Sequence, residues 1–347
     1  MKVYTDIDKV REEWDKFNVS DFIDSTFLEV FYINHPNIKH LFVINKDMRL
    51  YAHIFELRFD KIARYLRNKR FGLFVKFLKF DVLYLTNSFI TNIPAFVSKN
   101  KINLDKFLSV LKYNYTLLVL PDFIFNNITT EKNEFCKIEV EGDMVLEIHN
   151  KWFNLDSYVS DFRKKYRKKI KKFLNSSSEI EIRSMNTNDL VVYSDKIKDL
   201  FSEVINESKF TGPLFNTDSF LSLIKKDIFK VYGYFINNDL IAFSSEIHQE
   251  KTLYSYYVGF DKSLNKTFSI YPRILLETIK NAIVLKMDKV VFGRTANEFK
   301  SNFGAKPIKS YVYIKVRNRY LSIILNPILK RLTVKKWAKR SPFKVYS

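Results

Sequence analysis

In HLFVINKDMRLYAHIFEL, His40 to Leu57, two apolar runs rich in strand-forming residues flank a polar turn at Asn45, Lys46 and Asp47, and this predicts a β-hairpin. The pattern returns 192 residues later in YGYFINNDLIAFSSEIHQE, where Ile236, Asn237 and Asp239 repeat Ile44, Asn45 and Asp47. The segments after the two hairpins also agree: a strand (VLYLT; TLYSYYVGF), a helical stretch (104–112; 270–286) and a buried strand (YTLLVL; DKVVFG). The reading is a degenerate tandem duplication.

The second copy is the clearer one. Strands are expected at Ile180–Arg183, Val231–Ile236, Leu240–His248, Thr252–Gly259, Val290–Phe292 and Ser310–Val316, and amphipathic helices at Asp189–Glu207 and Asp218–Phe229. DKSLNKTF reads as a loop, followed by a helix with Ile274, Leu275, Thr278, Ile279 and Ala282 on one face. An antiparallel meander feeding a crossover helix fits the α/β class, with mixed, mostly antiparallel sheets flanked by helices. Between the copies, Leu155, Val159, Phe162, Tyr166, Ile170 and Phe173 make the apolar stripe of one helix, which leaves the basic residues of RKKYRKKIKK on its remaining surface.

Charge sharpens the picture. The chain has 347 residues and a net charge of +20. Arg163–Lys172 holds eight basic residues, and after Glu298 there are thirteen Lys or Arg and no carboxylate, so about −1 remains for everything else. Basic blocks at two places point to anionic partners at defined surfaces: phosphates, lipid headgroups or RNA. Arg163 and Arg167 are candidates for a donor's phosphates. The single cysteine, Cys136, excludes an internal disulfide and a Cys-based zinc site, and the five histidines lack HExxH-type spacing, so no metal is expected. MKVYTDIDKVREEWDKF has no apolar h-region and no apolar run approaches a spanning length of about 20 residues, so a cytoplasmic protein is expected.

FGRTANEFKSNFGAKP, Phe292 to Pro307, is the densest stretch for chemistry. Thr295 and Glu298 have the spacing of a capping box, Phe299 and Phe303 supply a buried face, and Gly304 suits a left-handed cap. Arg294, Asn297 and Lys300 are left over, spaced to border one pocket and to hold an anionic ligand.

YRKKIKKF, a hairpin ending in YYVGFD, a Tyr-containing helix and FGRTANEFKSNFGAKP together resemble GNAT-fold acyltransferases of the Fem-like group, which includes peptidoglycan interpeptide-bridge ligases. The similarity covers about Trp152 to Arg319 and reaches the first half through the repeated topology. It implies tandem GNAT-like domains: a degenerate one over 1–150, a catalytic one over 151–320 and a basic amphipathic tail over 321–347. The implied reaction is attack of an amine on an acyl thioester or aminoacyl ester, with the donor where two central strands splay. That places Ser255, Tyr257, Asp261 and Glu246 near the cleft, with Asp261 or Glu246 as base and Tyr257 or Tyr271 as proton donor. One departure matters: where acetyl-CoA enzymes carry a glycine-rich pyrophosphate loop, this chain has no glycine between Gly259 and Gly293. Thr267 or Ser269 is left to cap the helix there. The departure favours a larger donor.

The leading reading is an N-acyltransferase with no permanent cofactor, using acyl-CoA or acyl carrier protein as co-substrate and acting on an amine of a cell-envelope, lipid or glycan precursor. An aminoacyl-tRNA-dependent ligase is the alternative enzyme, and a non-catalytic module for RNA or anionic lipid the alternative class. FGLFVKFLKF (Phe71–Phe80) and YLSIILNPILKRLTVKKWAKR, in which Pro327 would open a helix at its first position, are candidates for an anionic membrane surface.

Overall fold

The structure is a computed structural model that describes residues 1–17, 20–58, 79–131, 135–207 and 212–344. Most of the aromatic stretch expected at a membrane, residues 71–78, lies outside them. The chain divides into two compact units: Met1–Val140, Lys209–Asn216 and Lys309–Lys335 form one, and Glu141–Ser208, Thr217–Ile308 and Lys336–Ser347 form the other.

The first unit opens with β1 (Lys2–Tyr4), α1 (Arg11–Asp15) and α2 (Ser25–Asn34). The expected hairpin follows as β2 (Lys39–Asn45) and β3 (Met48–Arg58), with Asn45 opposite Met48. β4 (Lys79–Tyr84) lies antiparallel on β3, as does the short β5 (Phe96–Ser98). After β6 (Ile102–Asn103), Asn103 caps α3 (Leu104–Val110) by accepting the Lys106 amide at 2.8 Å. β7 (Leu117–Pro121) then runs parallel to β4, and α4 (Asp122–Phe125) and β8 (Ile128–Thr129) follow. Leu41, Val43, Leu50, Leu83, Leu118 and Leu120 form a fully buried core.

Three of the five histidines are buried in this unit, and each ring accepts a hydrogen bond at one nitrogen. His35 Nε2 takes the Asn216 amide at 2.9 Å, His53 Nε2 takes the Ser88 amide at 2.8 Å, and His40 Nδ1 takes the Tyr51 hydroxyl at 2.6 Å while its Nε2 donates to His35 O. Burial pulls His35 and His40 down to about 4 and His53 well below its ordinary value.

β9 (Cys136–Glu147) leads into the second unit, which goes on with α5 (Leu155–Ser160), α6 (Lys164–Ser176), β10 (Glu181–Ser184), α7 (Thr187–Val192), α8 (Ser194–Glu207) and α9 (Ser219–Leu223). β11 (Phe229–Ile236), β12 (Asp239–Gln249) and β13 (Thr252–Phe260) form the expected meander. α10 (Lys262–Phe268), α11 (Ile270–Val284), β14 (Lys289–Val291) and α12 (Asn297–Ser301) follow. The strands lie in the order β9-β14-β13-β12-β11-β10, antiparallel throughout except where β14 runs parallel to β13. β4, α3 and β7 of the first unit repeat β13, α11 and β14 in connection and sense. The predicted stripe of α11 is buried at Ile274, Leu275, Thr278, Ile279 and Ala282.

Several local expectations are corrected. The stripe from Leu155 to Phe173 is carried by two helices, because the chain turns at Asp161–Arg163, where Asp161 accepts from Trp152 Nε1 at 3.0 Å and Phe162 bridges to Phe343. Asp189–Glu207 is likewise broken at Tyr193, and the helix expected over Asp218–Phe229 is only α9. DKSLNKTF is helix α10 rather than a loop. The capping box does not form, since Ala296 and not Thr295 stands at the start of α12. The last elements are β15 (Lys306–Val316), antiparallel to β7, and α13 (Arg319–Leu329), which starts at an Asn318 cap; Pro327 sits in its last turn, not its first.

Candidate active site

Lys300 is buried, and its ammonium donates to three successive carbonyls, Phe292 O at 2.7 Å, Gly293 O at 3.2 Å and Arg294 O at 3.0 Å. A lysine has three N–H donors, so all are used internally. Burial lowers its pKa to about 7 against the pull of Asp143 and Glu141. The turn it ties down is strained: Thr295 and Ala296 both have positive φ, 73° and 50°. The Thr295 amide is held by Glu141 Oε2 at 3.2 Å, and Arg294 Nε lies 3.7 Å from Asp143. Asn297 is buried, with Oδ1 lacking a partner. Of the three residues expected to grip an anionic donor, Lys300 spends its donors on the turn and Arg294 lies beside Asp143, while Asn297 keeps an unpartnered oxygen. No side chain caps α12, because the alanine at its N-cap, Ala296, has no acceptor, and Glu298 pairs with Arg340 instead of reaching back to Thr295.

The parallel ladder of β13 and β14 pairs Thr252–Tyr254 with Lys289–Val291, the whole of β14, so from Ser255 onward β14 does not cover the β13 edge. On the other side of β13, the register with β12 slips between Ser244 and Glu246, and Ser245 faces a bulge at Tyr256–Tyr257. The Ser245 hydroxyl fixes that bulge, accepting the Tyr257 amide at 3.0 Å and donating to Tyr257 O at 2.9 Å. Tyr257 packs edge-on against Phe201, and burial raises its hydroxyl, so it is a protonated group at neutral pH. Tyr271 is raised by burial too, between the rings of Phe260 and Phe299.

Glu246 lies opposite Ser255, where the ladder to β14 ends. Its carboxylate is fully buried and takes His248 Nε2 at 3.1 Å and Asn281 Nδ2 at 3.1 and 3.2 Å. Burial pushes its pKa up, and the bonds from His248 and Asn281 hold part of that back. With Glu246 ionised, His248 Nε2 is the donor in this bond. Sequence reasoning names Glu246 but misses His248. The signal is present, because residues i and i+2 of a strand share a face and the chain reads Glu246-Ile247-His248.

Asp261 has another occupation. Its Oδ1 accepts from the Ser263 amide at 2.8 Å, the Leu264 amide at 3.2 Å and the Ser263 hydroxyl at 2.5 Å, making it the N-cap of α10. Burial works to raise its pKa, but these bonds hold it below the ordinary carboxylate value, which weakens it as a base. At the start of α11, where the resemblance would put a pyrophosphate, Tyr271 N donates to Asn265 Oδ1 at 2.9 Å, Pro272 has no N–H, and Arg273 N donates to Ser269 O at 2.9 Å. Ser269 makes no cap bond and instead meets Ser176 of α6 at 2.8 Å, and Thr267 is exposed in the last turn of α10.

Beside this lies a cleft of about 510 Å³ lined by Lys165, Tyr166, Lys169, Glu298, Phe299, Asn302 and Arg340. Arg163 and Arg167 are outside that lining; Arg163 donates to Phe343 O at 2.9 Å, tying down the C-terminal arm.

Residues 160–301 match the model of the acetyltransferase (GNAT) domain. No match is found among curated proteins. Among solved structures, L-PGS from Bacillus licheniformis is similar at 8% identity, covering 96% of this chain and 98% of that one with a TM-score of 0.54. A conserved protein of unknown function from Bacteroides thetaiotaomicron aligns at 12% identity over 90% and 99%, TM-score 0.51, and FemX at 10% over 94% and 100%, TM-score 0.49. At these identities the likeness is one of fold. The parallel β13–β14 pair and the bulged strand beside it lie within residues 160–301, the part of the chain that matches the GNAT domain model.

Proposed function

We propose that the second unit is an N-acyltransferase that moves an acyl group from an activated, carrier-borne donor to an amine. The observation that carries this reading is the β13–β14 ladder that stops at Tyr254, because it leaves a strand edge beside a buried carboxylate and two protonated tyrosines. The Glu246–His248 pair takes the ammonium proton, and Tyr257 or Tyr271 returns one to the leaving group. Because the Tyr271 and Arg273 amides at the start of α11 are already bonded and Pro272 has none, the carrier's phosphates need another seat, and this favours an acyl carrier protein, an aminoacyl-tRNA or a long-chain acyl-CoA over acetyl-CoA held in the usual way. The test is a discharge panel of those donors with simple amines, read by mass spectrometry. One donor class should yield amide; discharge of none, together with RNA or vesicle binding, would support the non-catalytic module instead.

A membrane partner is favoured by α13. Tyr320, Ile323 and Ile324 are 80%, 69% and 63% exposed beside Arg319 and Lys330, the composition of a helix that lies on anionic lipid. Among the described residues, no helix is long and apolar enough to span a bilayer. In flotation at low salt the protein should rise with vesicles containing phosphatidylglycerol, and Ile323→Asp with Ile324→Asp should stay at the bottom. Equal flotation of both proteins would remove α13 from the account.

A further inference from the structure

The cleft between α6, α12 and the C-terminal arm is unusual in charge. Its lining has three cations, Lys165, Lys169 and Arg340, against one carboxylate, Glu298, which Arg340 already engages. Lys169 donates only to the neutral Asn302 Oδ1, at 3.2 Å. Burial first, then Arg340 and Lys165, press its pKa below the ordinary lysine value, so the cations crowd one another. A bound anion relieves that crowding. The cleft also has an aromatic wall. Phe299 is fixed by Tyr271 at 5.5 Å and Phe303 at 5.5 Å, and Tyr166 is the second ring in the lining.

The arm that supplies Arg340 is docked by several independent contacts. Phe343 packs 5.2 Å from Trp152 and 4.8 Å from Phe162, and Lys344 N donates to Asp161 O at 3.0 Å. Gly304 is the residue that makes room, since a Cβ there would lie 2.1 Å from the Phe343 ring. Arg340 N donates to Ser301 Oγ at 3.1 Å, which fixes the arm to α12. The basic tail is therefore a wall of the cleft.

We propose that this cleft is a subsite for a nucleoside phosphate, the phosphate lying among Lys165, Lys169 and Arg340 and the base against Tyr166 and Phe299. Cations suit the phosphate and flat rings suit any base. The volume is within the range of small-molecule sites. As an account of the donor, the inference rests on the acyl-transfer reading: the nucleotide end of the carrier, whether the 3′ end of an RNA or the nucleotide of CoA, sits here instead of at the start of α11.

Calorimetry with AMP, adenosine and inorganic phosphate tests it. AMP should bind more tightly than adenosine. Lys169→Ala and Lys165→Ala should each weaken AMP about tenfold, roughly 1.4 kcal/mol, with little change in melting temperature. Arg340→Ala should do the same. Tyr166→Ala should weaken AMP but leave inorganic phosphate unaffected. AMP binding indifferent to Lys165, Lys169 and Arg340 overturns the site, and phosphate binding as tight as AMP regardless of Tyr166 overturns the nucleoside part. Displacement of AMP by CoA or by a CCA-ended RNA minihelix tells which carrier is used, and failure of both overturns the donor role. AMP binding that survives in a protein discharging no donor faults the acyl-transfer reading alone.

Discussion

Lys300 shows how much one buried cation can do for a backbone. Two successive non-glycine residues with positive φ cost of order 1 kcal/mol or more each, and the Lys300 ammonium compensates by satisfying the carbonyls that this turn directs inward. Lys300→Met keeps the length of the side chain and removes the donors, so it should destabilise the protein by about 2–4 kcal/mol in urea unfolding. A change under about 0.5 kcal/mol would return Lys300 to the ligand-binding residues. Sequence does not distinguish these roles, because spacing gives the face of a helix but not the direction of the carbonyls that precede it. Glu246 and His248 differ in this respect: their placement on one face of β12 follows from strand periodicity alone.

At the level of elements, the hairpins and the parallel strands are legible as apolar runs rich in strand-forming residues, and the crossover helix α11 because its period-three-to-four pattern is a physical consequence of one-sided burial. α10 is hidden. Its run KSLNKTF has no buried residue and so no stripe to read, and its existence depends on the Asp261 cap. The turn between α5 and α6 is hidden by a stripe that continues across it, set by contacts to Trp152 and to Phe343, 181 residues after Phe162 in the chain. If Asp261 is a cap, Asp261→Asn should retain transfer activity within about threefold while Asp261→Ala loses about 1 kcal/mol of stability. Activity lost about 100-fold in the asparagine variant would restore Asp261 as the base.

On the scale of the molecule, acid stability belongs to the first unit. Histidines with a folded pKa of about 4 and an ordinary value near 6.5 stabilise fully above 6.5, and the contribution is lost as pH falls from 6.5 through 4, because the unfolded chain takes up the proton first. Each ring forfeits up to about 3 kcal/mol. Chemical denaturation from pH 7 to 4.5 should show the loss, and His40→Gln should flatten it; a curve without slope in that window would mean that the rings are not held neutral. In the function we propose for the second unit, Glu246, with His248, moves the proton of the attacking amine. The direct measurement is the rate of amide formation, with the donor found by the discharge panel, for the wild type and Glu246→Gln. A fall of about 100-fold or more at unchanged melting temperature is predicted; an equal rate would contradict the account.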